Sequence, residues 1–298
     1  MKMISFILVF LFLSMSVFPQ NFSRELVKKA ESGDVEAMFS LGICYRRGRN
    51  VETDNEKAVY WFAKASDKGH IEATYYLASY YENGIVVKQD SLRAYNLLLK
   101  ASDKGDAYAM FDLGEYWHLK SVPNSELEAL EWVKKALETT DSDILKSECA
   151  LKLYFKYLGT EGIAKDLSTA VGWLHKAEEY YPFSAVQNEL GVCYLNGIGV
   201  DSNKEEAIKW FTKGYQQRDS YCAGNLGLIY YRDKDYNKAF KYLKESADND
   251  FYPMQKAAEY LSYCYKYGRG TSVDVENASK YLELSKQLKD KSLKELME

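Results

Sequence analysis

Three histidines, five cysteines and 43 acidic side chains are the groups of this 298-residue chain that could transfer protons, attack as nucleophiles or bind metal. His70, His118 and His175 stand far apart, and none belongs to a His-x-x-His, His-Glu-x-x-His or Cys–His metal spacing. Each reads as an ordinary packing or surface residue. No Gly-x-Ser-x-Gly occurs and no serine precedes a lysine by three residues, so the common acyl-enzyme signatures are missing. GIG at Gly197 and GRG at Gly268 read as turns of a repeat, not phosphate-cradling loops. The expectation is no catalytic residue, no metal and no cofactor: a chain that is not an enzyme.

The cysteines are equally plain. Cys44, Cys193 and Cys264 recur in GICY, GVCY and SYCY, while Cys149 and Cys222 share a second recurrent position. Residues that return at one place in a repeat read as small buried packing groups, with one opportunistic bridge left open. Charge excludes another class. Lys and Arg number 39 against the 43 acids, the net charge is -4, and the two signs are interspersed as on solvated helix faces. A nucleic-acid binder would present a basic face.

Residues 1–20 differ from the rest. Lys2 precedes the apolar run Ile4–Leu13, and Ser14, Ser16, Pro19 and Gln20 lead into a polar chain. That layout is a secretory signal peptide, with an uncleaved anchor as the alternative, and it implies a periplasmic or secreted protein. No later segment is long and apolar enough to span a bilayer.

The elements that must position any site emerge from self-similarity. AMFSLGICYRRG from Ala37, ATYYLASYYENG from Ala73 and AMFDLGEYWHLK from Ala109 lie 36 residues apart. A second pattern follows each: KAVYWFAKAS from Lys57, RAYNLLLKAS from Arg93, and further copies to NASKYLELS from Asn277. Aligned, the second pattern carries Ala58, Ala94, Ala129, Ala170, Ala207, Ala239 and Ala278. The first carries Leu41, Leu77, Leu113, Leu153, Leu190, Leu226 and Leu261, each with Tyr or Trp four residues on. Such spacing predicts paired amphipathic helices whose small residues permit close approach. Asp54, Asp90, Asp166 and Asp274 are placed to cap second helices, Asp34 and Asp106 to cap first helices, and Gly69 and Gly105 to stop second helices.

The recurrent LGxxYxxG, Val-x-x-Asp loop and AxxWxxKA resemble the Sel-1-like repeat, a relative of the tetratricopeptide repeat. The resemblance covers almost the whole chain after residue 20. It implies an all-α fold, a right-handed α/α solenoid of about seven repeats at 30–66, 67–102, 103–137, 143–178, 182–215, 218–247 and 252–286. A C-terminal capping helix is expected at about 287–298. The third copy lacks the glycine loop around Pro123, the fourth follows an insert, TTDSDIL, and the sixth has a shortened turn. Some cysteine-rich relatives bind β-lactams, but their paired cysteines fall where this chain has Ser66, Ser102, Met38 and Met110. Members of the family resemble adaptors and scaffolds. The implied function is an exported interaction module binding a protein or peptide, with a cell-envelope hydrolase or a β-lactam- or glycan-binding protein as the alternative.

A solenoid's concave wall is lined by its first helices. Taking Ala37, Leu41 and Tyr45 as the packed face puts the open face two, three and six residues after each start. The candidate binding residues are Phe39, Tyr75, Tyr76, Ser79, Phe111, Asp112 and Glu115, then Lys152 and Phe155. Asn188, Glu189, Asn225, Glu259, Tyr260 and Tyr263 continue the set. Rings interleaved with carboxylates and amides suit a peptide groove. The competing reading packs several of the rings between neighbouring first helices.

Overall fold

A computed structural model describes residues 21–115, 126–159 and 163–297, with side chains described as far as residue 291. The signal-peptide expectation for residues 1–20, His118 and the Pro123 segment lie outside the described residues. Among the described residues the chain is a succession of fifteen helices. A leading α1 (Arg24–Glu31) precedes the first helices α2 (Val35–Arg47), α4 (Ile71–Asn83), α6 (Ala107–Leu113) and α8 (Asp143–Tyr157). The remaining first helices are α10 (Ser184–Asn196), α12 (Ser220–Arg232) and α14 (Gln255–Tyr267). Their second-helix partners are α3 (Asn55–Asp67), α5 (Ser91–Ser102), α7 (Glu126–Thr139), α9 (Leu167–Tyr180), α11 (Lys204–Gln216), α13 (Tyr236–Ala247) and α15 (Val275–Met297).

The chain divides into two compact units, one reaching Lys165 and the other starting at Asp166. The division falls inside the fourth repeat, between its two helices. The insert before α8 is absorbed locally: Ser142 caps the helix by accepting from Leu145 N–H, so the end of TTDSDIL becomes its first turn.

Each repeat is built the same way. All seven aligned leucines and all seven aligned alanines are buried. The glycine of LGxxY permits close approach: a Cβ on Gly42 would lie 2.6 Å from the Phe62 ring, and one on Gly191 2.5 Å from Phe211. A ring of the second helix thus lies flat against the bare first-helix backbone. Asp54, Asp90, Asp166 and Asp274 accept N–H bonds as second-helix caps, and Asp34 and Asp106 do the same for first helices. Ser23, His70, Ser142, Asn203, Asp219 and Asp235 are further caps that the pattern did not single out. The cap residue's own N–H returns to the first-helix tyrosine: Asp54 N to Tyr45 O is 2.9 Å, Asn203 N to Tyr194 O 2.8 Å, Asp274 N to Tyr265 O 3.0 Å. These bonds fix the turn between the two helices. The tryptophans at the start of WxxK are covered by the lysine three residues on, with Nζ 4.3 Å from the Trp132 ring, 4.2 Å from Trp173 and 4.1 Å from Trp210.

One expectation needs correction. The capping helix expected from residue 287 is not a separate element: α15 runs unbroken over 23 residues from Val275 to Met297. Nothing between those residues is glycine or proline, so the second helix of the last repeat has no reason to stop. All five cysteines are buried, and none forms a disulfide among the described residues. No helix among the described residues is long and apolar enough to cross a membrane.

Candidate functional site on the first helices

In the N-terminal unit the expected open face divides between the core and a half-buried surface. Phe39, Tyr76 and Phe111, expected on an open face, are 2%, 6% and 6% exposed and belong to the core. Phe39 packs against Phe62, His70 and Tyr76, with ring centres 6.0, 4.3 and 5.9 Å away, and Tyr76 stacks on Phe62 at 5.3 Å. Phe39, Tyr76 and Phe111, two or three residues after a first-helix start, are drawn into the core, whereas Tyr75 at the same register is not. The inter-repeat packing reading therefore holds for these three rings. Tyr75, Ser79, Asp112, Glu115, Lys152 and Phe155 stay half-buried. Phe155 leans on Tyr154 at 4.9 Å, and Ser79 receives the Asn83 amide on its carbonyl at 2.7 Å.

Four of these residues converge. The Tyr75 hydroxyl of α4 donates to Asp112 of α6. Lys152 of α8 ion-pairs with Glu115 at 2.5 Å and lies 3.7 Å over the Phe111 ring. One turn before Lys152 on the same helix stands Glu148, which residue reasoning missed. The available signal was its i, i+4 spacing to Lys152. Burial pushes the Asp112 carboxyl up to about 6, opposed by Lys152 and by the Tyr75 bond and assisted by Glu115 and Asp106. Glu148 is pushed up to about 7, chiefly by burial, with Lys152 pulling down and Asp112 pushing up. Its Oε2 is buried without a hydrogen-bond partner among the described residues. Several carboxylates thus share one largely buried ammonium, and burial moves the titration of two of them up toward neutral pH. Cys149, beside Glu148, has its thiol pushed up to about 12 by burial and is inert as a nucleophile.

The C-terminal unit places its candidates differently. Asn225 Nδ2 donates to Asn188 Oδ1 at 2.9 Å, linking α12 to α10, and Asn188 reaches Glu189 at 3.5 Å. Glu259 accepts the Tyr263 hydroxyl at 2.9 Å on α14. Tyr260 packs edge-on to Tyr231 at 5.0 Å and to Tyr263 at 5.7 Å, and Tyr263 approaches Tyr267 at 6.4 Å. Arg269 joins this set unforeseen. Its guanidinium lies 5.3, 5.1 and 5.2 Å from the rings of Tyr231, Tyr236 and Tyr267, and it donates to the Tyr231 hydroxyl. It was passed over as part of a repeat loop. The structure brings Glu259, Tyr260 and Tyr263 together as one group and Asn188, Glu189 and Asn225 as another. Among the described residues no group of His, Cys, Asp and Glu is arranged to hold a metal ion.

The sequence profile of the Sel1 repeat matches residues 35–70, 71–106, 107–138, 149–179, 184–219, 221–251 and 255–290. A sel1-like repeat-containing protein of Acanthamoeba polyphaga mimivirus is 36% identical over 66 residues, 22% of this chain and 12% of that protein. The crystal structure of a protective antigen of uropathogenic Escherichia coli strains, which displays an SLR fold, superposes with a TM-score of 0.75 at 26% identity. It covers 91% of this chain and 59% of that one, so this chain spans only part of both relatives. A Sel1 repeat protein from Oxalobacter formigenes gives a TM-score of 0.69 at 23% identity, covering 92% of this chain and 79% of that one. With the repeat matched over most of its length and the helix pairs in place, the chain belongs to the Sel1 repeat family, whose solenoids are generally protein-interaction modules.

Proposed function

We propose that the chain is an exported adaptor whose first-helix face, the concave wall expected of such a solenoid, binds a peptide or protein segment. The observation that carries this reading is the convergence of half-buried polar and aromatic groups from successive first helices. Tyr75, Asp112, Glu148 and Lys152 meet in the N-terminal unit, and Asn188 with Asn225 and Glu259 with Tyr260 and Tyr263 in the C-terminal unit. Amides and carboxyls fix the direction of a bound backbone, and tyrosines supply rigid area at little entropic cost. The family's general role as a non-enzymatic scaffold supports it. Export is supported by the apolar run Ile4–Leu13 behind Lys2.

The test is affinity capture after mild crosslinking, with the native chain and a Glu115→Ala, Asn225→Ala, Tyr260→Ala variant as parallel baits. A partner taken by the native bait and lost by the variant supports the reading. A partner retained by both moves the site off the first helices. N-terminal sequencing of the protein from cell fractions tests export: an intact Met1 in the cytosol overturns it.

One observation favours a second reading. Asp112 and Glu148, held up to about 6 and about 7, are an acid pair of the kind used for general acid–base hydrolysis. A hydrolytic activity with a bell-shaped pH profile, abolished by both Asp112→Asn and Glu148→Gln, would put an enzyme in place of the adaptor.

A further inference from the structure

Where a side chain caps a first helix among the described residues, it is an aspartate or a serine, with one exception. Asp34 caps α2, Asp106 α6, Ser142 α8 and Asp219 α12, whereas α4 is capped by His70. Its ring nitrogen Nδ1 accepts the Ala73 N–H at 3.2 Å. An oxygen cap keeps a lone pair whether or not it carries a proton, and an imidazole nitrogen does not. The second repeat therefore closes its first helix with the one cap whose acceptor is lost on protonation.

The tautomer follows from the cap. Nδ1 holds a lone pair, so the ring is neutral and its proton sits on Nε2. Nε2 is buried without a hydrogen-bond partner among the described residues, and Glu36 Oε1 of α2 lies 3.4 Å from it. The side chain is 5% exposed and packs on the Phe39 ring, 4.3 Å between centres. Its backbone is engaged as well: the Thr74 hydroxyl donates to His70 O at 2.8 Å and shares a second bond of 2.8 Å with Ser66 of α3.

Each ring nitrogen has a carboxylate within reach. Glu72 Oε2 of α4 is 3.2 Å from Nδ1, as Glu36 is from Nε2 at 3.4 Å. Of the other charged groups at this turn, Lys104 donates to Gly69 O at 3.2 Å, and Lys68 Nζ lies 3.6 Å from where a Cβ on Gly33 would stand. Asp106, the next cap along, is within electrostatic reach of Glu72. A second proton on the ring thus finds an acceptor ready, Nδ1–H going to Glu72 and Nε2–H to Glu36. The Ala73 N–H does not: as third residue of α4 it has no intrahelical acceptor, and it would face a donor.

We propose that His70 is a proton-operated cap: neutral, it closes the first turn of α4 through Nδ1, and protonated, it hands Nδ1–H to Glu72 and releases the Ala73 N–H. The proton comes from solvent. The closed cap binds one proton fewer than the open one, so opening is favoured as pH falls through the range in which histidines titrate. The next turn of α4 carries Tyr75, which donates to Asp112, and Tyr76, which stacks on Phe62. A change at His70 therefore adjoins both the first-helix cluster and the seam between the first two repeats. Asp112 and Glu148 act with the opposite sign, because they gain protons in the folded chain, so the readout has to be local.

The test is nuclear magnetic resonance on the full chain. At about pH 8 the ring nitrogen shifts of His70 are expected to show the proton on Nε2. Between about pH 8 and about pH 5 the exchange protection factor of the Ala73 amide should fall at least about tenfold relative to that of Ala37, which Asp34 caps at 2.9 Å. His70→Asn, which keeps an acceptor at the cap, should hold the Ala73 ratio level over that range. Glu72→Gln should move the fall to lower pH, since the charged ring loses the acceptor for Nδ1–H. The proposal is overturned by a proton on Nδ1 at about pH 8, or by a ring still neutral at about pH 5. It is overturned equally if Ala73 keeps its protection while the ring titrates, or if His70→Asn shows the same fall as the native chain.

Discussion

The two units carry different chemistry on the same frame. On the N-terminal first helices, carboxyls from α6 and α8 crowd around one lysine, and Phe39, Tyr76 and Phe111 are taken into the core. Among the described residues of the C-terminal first helices no such charge centre forms, and amides and tyrosines occupy the same register. The frame explains why this is possible. The buried leucine and alanine are common to all seven helix pairs, a close-approach glycine and a capping side chain are added in several of them, and the positions two, three and six residues after each start vary. A repeat protein can therefore change what it recognises along its length without changing how it folds.

The sharpest way to break that comparison is to attack the shared frame. Phe62 and Phe211 are fully buried and lie against Gly42 and Gly191. Phe62→Ala and Phe211→Ala should each cost about 3–5 kcal/mol, alike in both units, in urea denaturation. Costs that differ widely between the two would mean that the frame is not common to both.

The next largest effect should appear in one unit only. Asp112 and Glu148 hold their protons to higher pH in the folded chain than in the unfolded one. Between about pH 4 and about pH 7 the folded state therefore binds more protons, and stability falls as pH rises. A shift of about two units on one carboxyl corresponds to about 3 kcal/mol. Unfolding free energies from urea titration should drop from about pH 4.5 to about pH 8 by an amount of that order, and Asp112→Asn with Glu148→Gln should flatten the slope. Lys152→Met should steepen it, because the cation that holds both groups down is gone. A wild-type midpoint independent of pH would show that these carboxyls are solvated as ordinary surface acids.

Much of this molecule was legible in its residues, and the parts that were not share a cause. Periodicity located the helix pairs because Leu41 and Ala58 and their copies answer to one geometric demand, repeated seven times. The caps at Asp54 or Asp166 were legible because a short acceptor before a helix has one local use. The fate of Phe39, Tyr76 and Phe111 was not, since it depends on how far the neighbouring repeat leans over the position. Glu148 was missed because its importance arises from Asp112 on a different helix. Arg269 looked like loop filler until three tyrosines from α12, α13 and α14 were seen around it. Local rules read elements, but a site is a meeting of elements.

A smaller effect tests the C-terminal amide link. Asn225→Ala removes the 2.9 Å bond to Asn188 and should cost about 1 kcal/mol, since the stranded Asn188 oxygen is only half-buried and can recruit water. A cost above about 3 kcal/mol would place the pair in the core and take it out of any binding face.

The smallest effect concerns what the lysine of WxxK does, and here the two units should agree in sign and differ in size. Lys64 Nζ lies 5.2 Å from the Trp61 ring and Lys213 Nζ 4.1 Å from Trp210. Two contributions are mixed in that contact: the methylene stem shields the indole from water, and the ammonium is attracted by the ring face. Lys→Met keeps the stem and removes the charge, whereas Lys→Ala removes both. An ammonium term of about 0.5 kcal/mol at such exposed sites makes Lys213→Met mildly destabilising, and Lys213→Ala should cost more by the lost cover. The shorter distance makes Trp210 the more sensitive of the two. If Lys213→Met is neutral while Lys213→Ala is not, the repeat keeps lysine there as a hydrophobic lid that stays soluble, and the charge contributes nothing to holding the second helix in place.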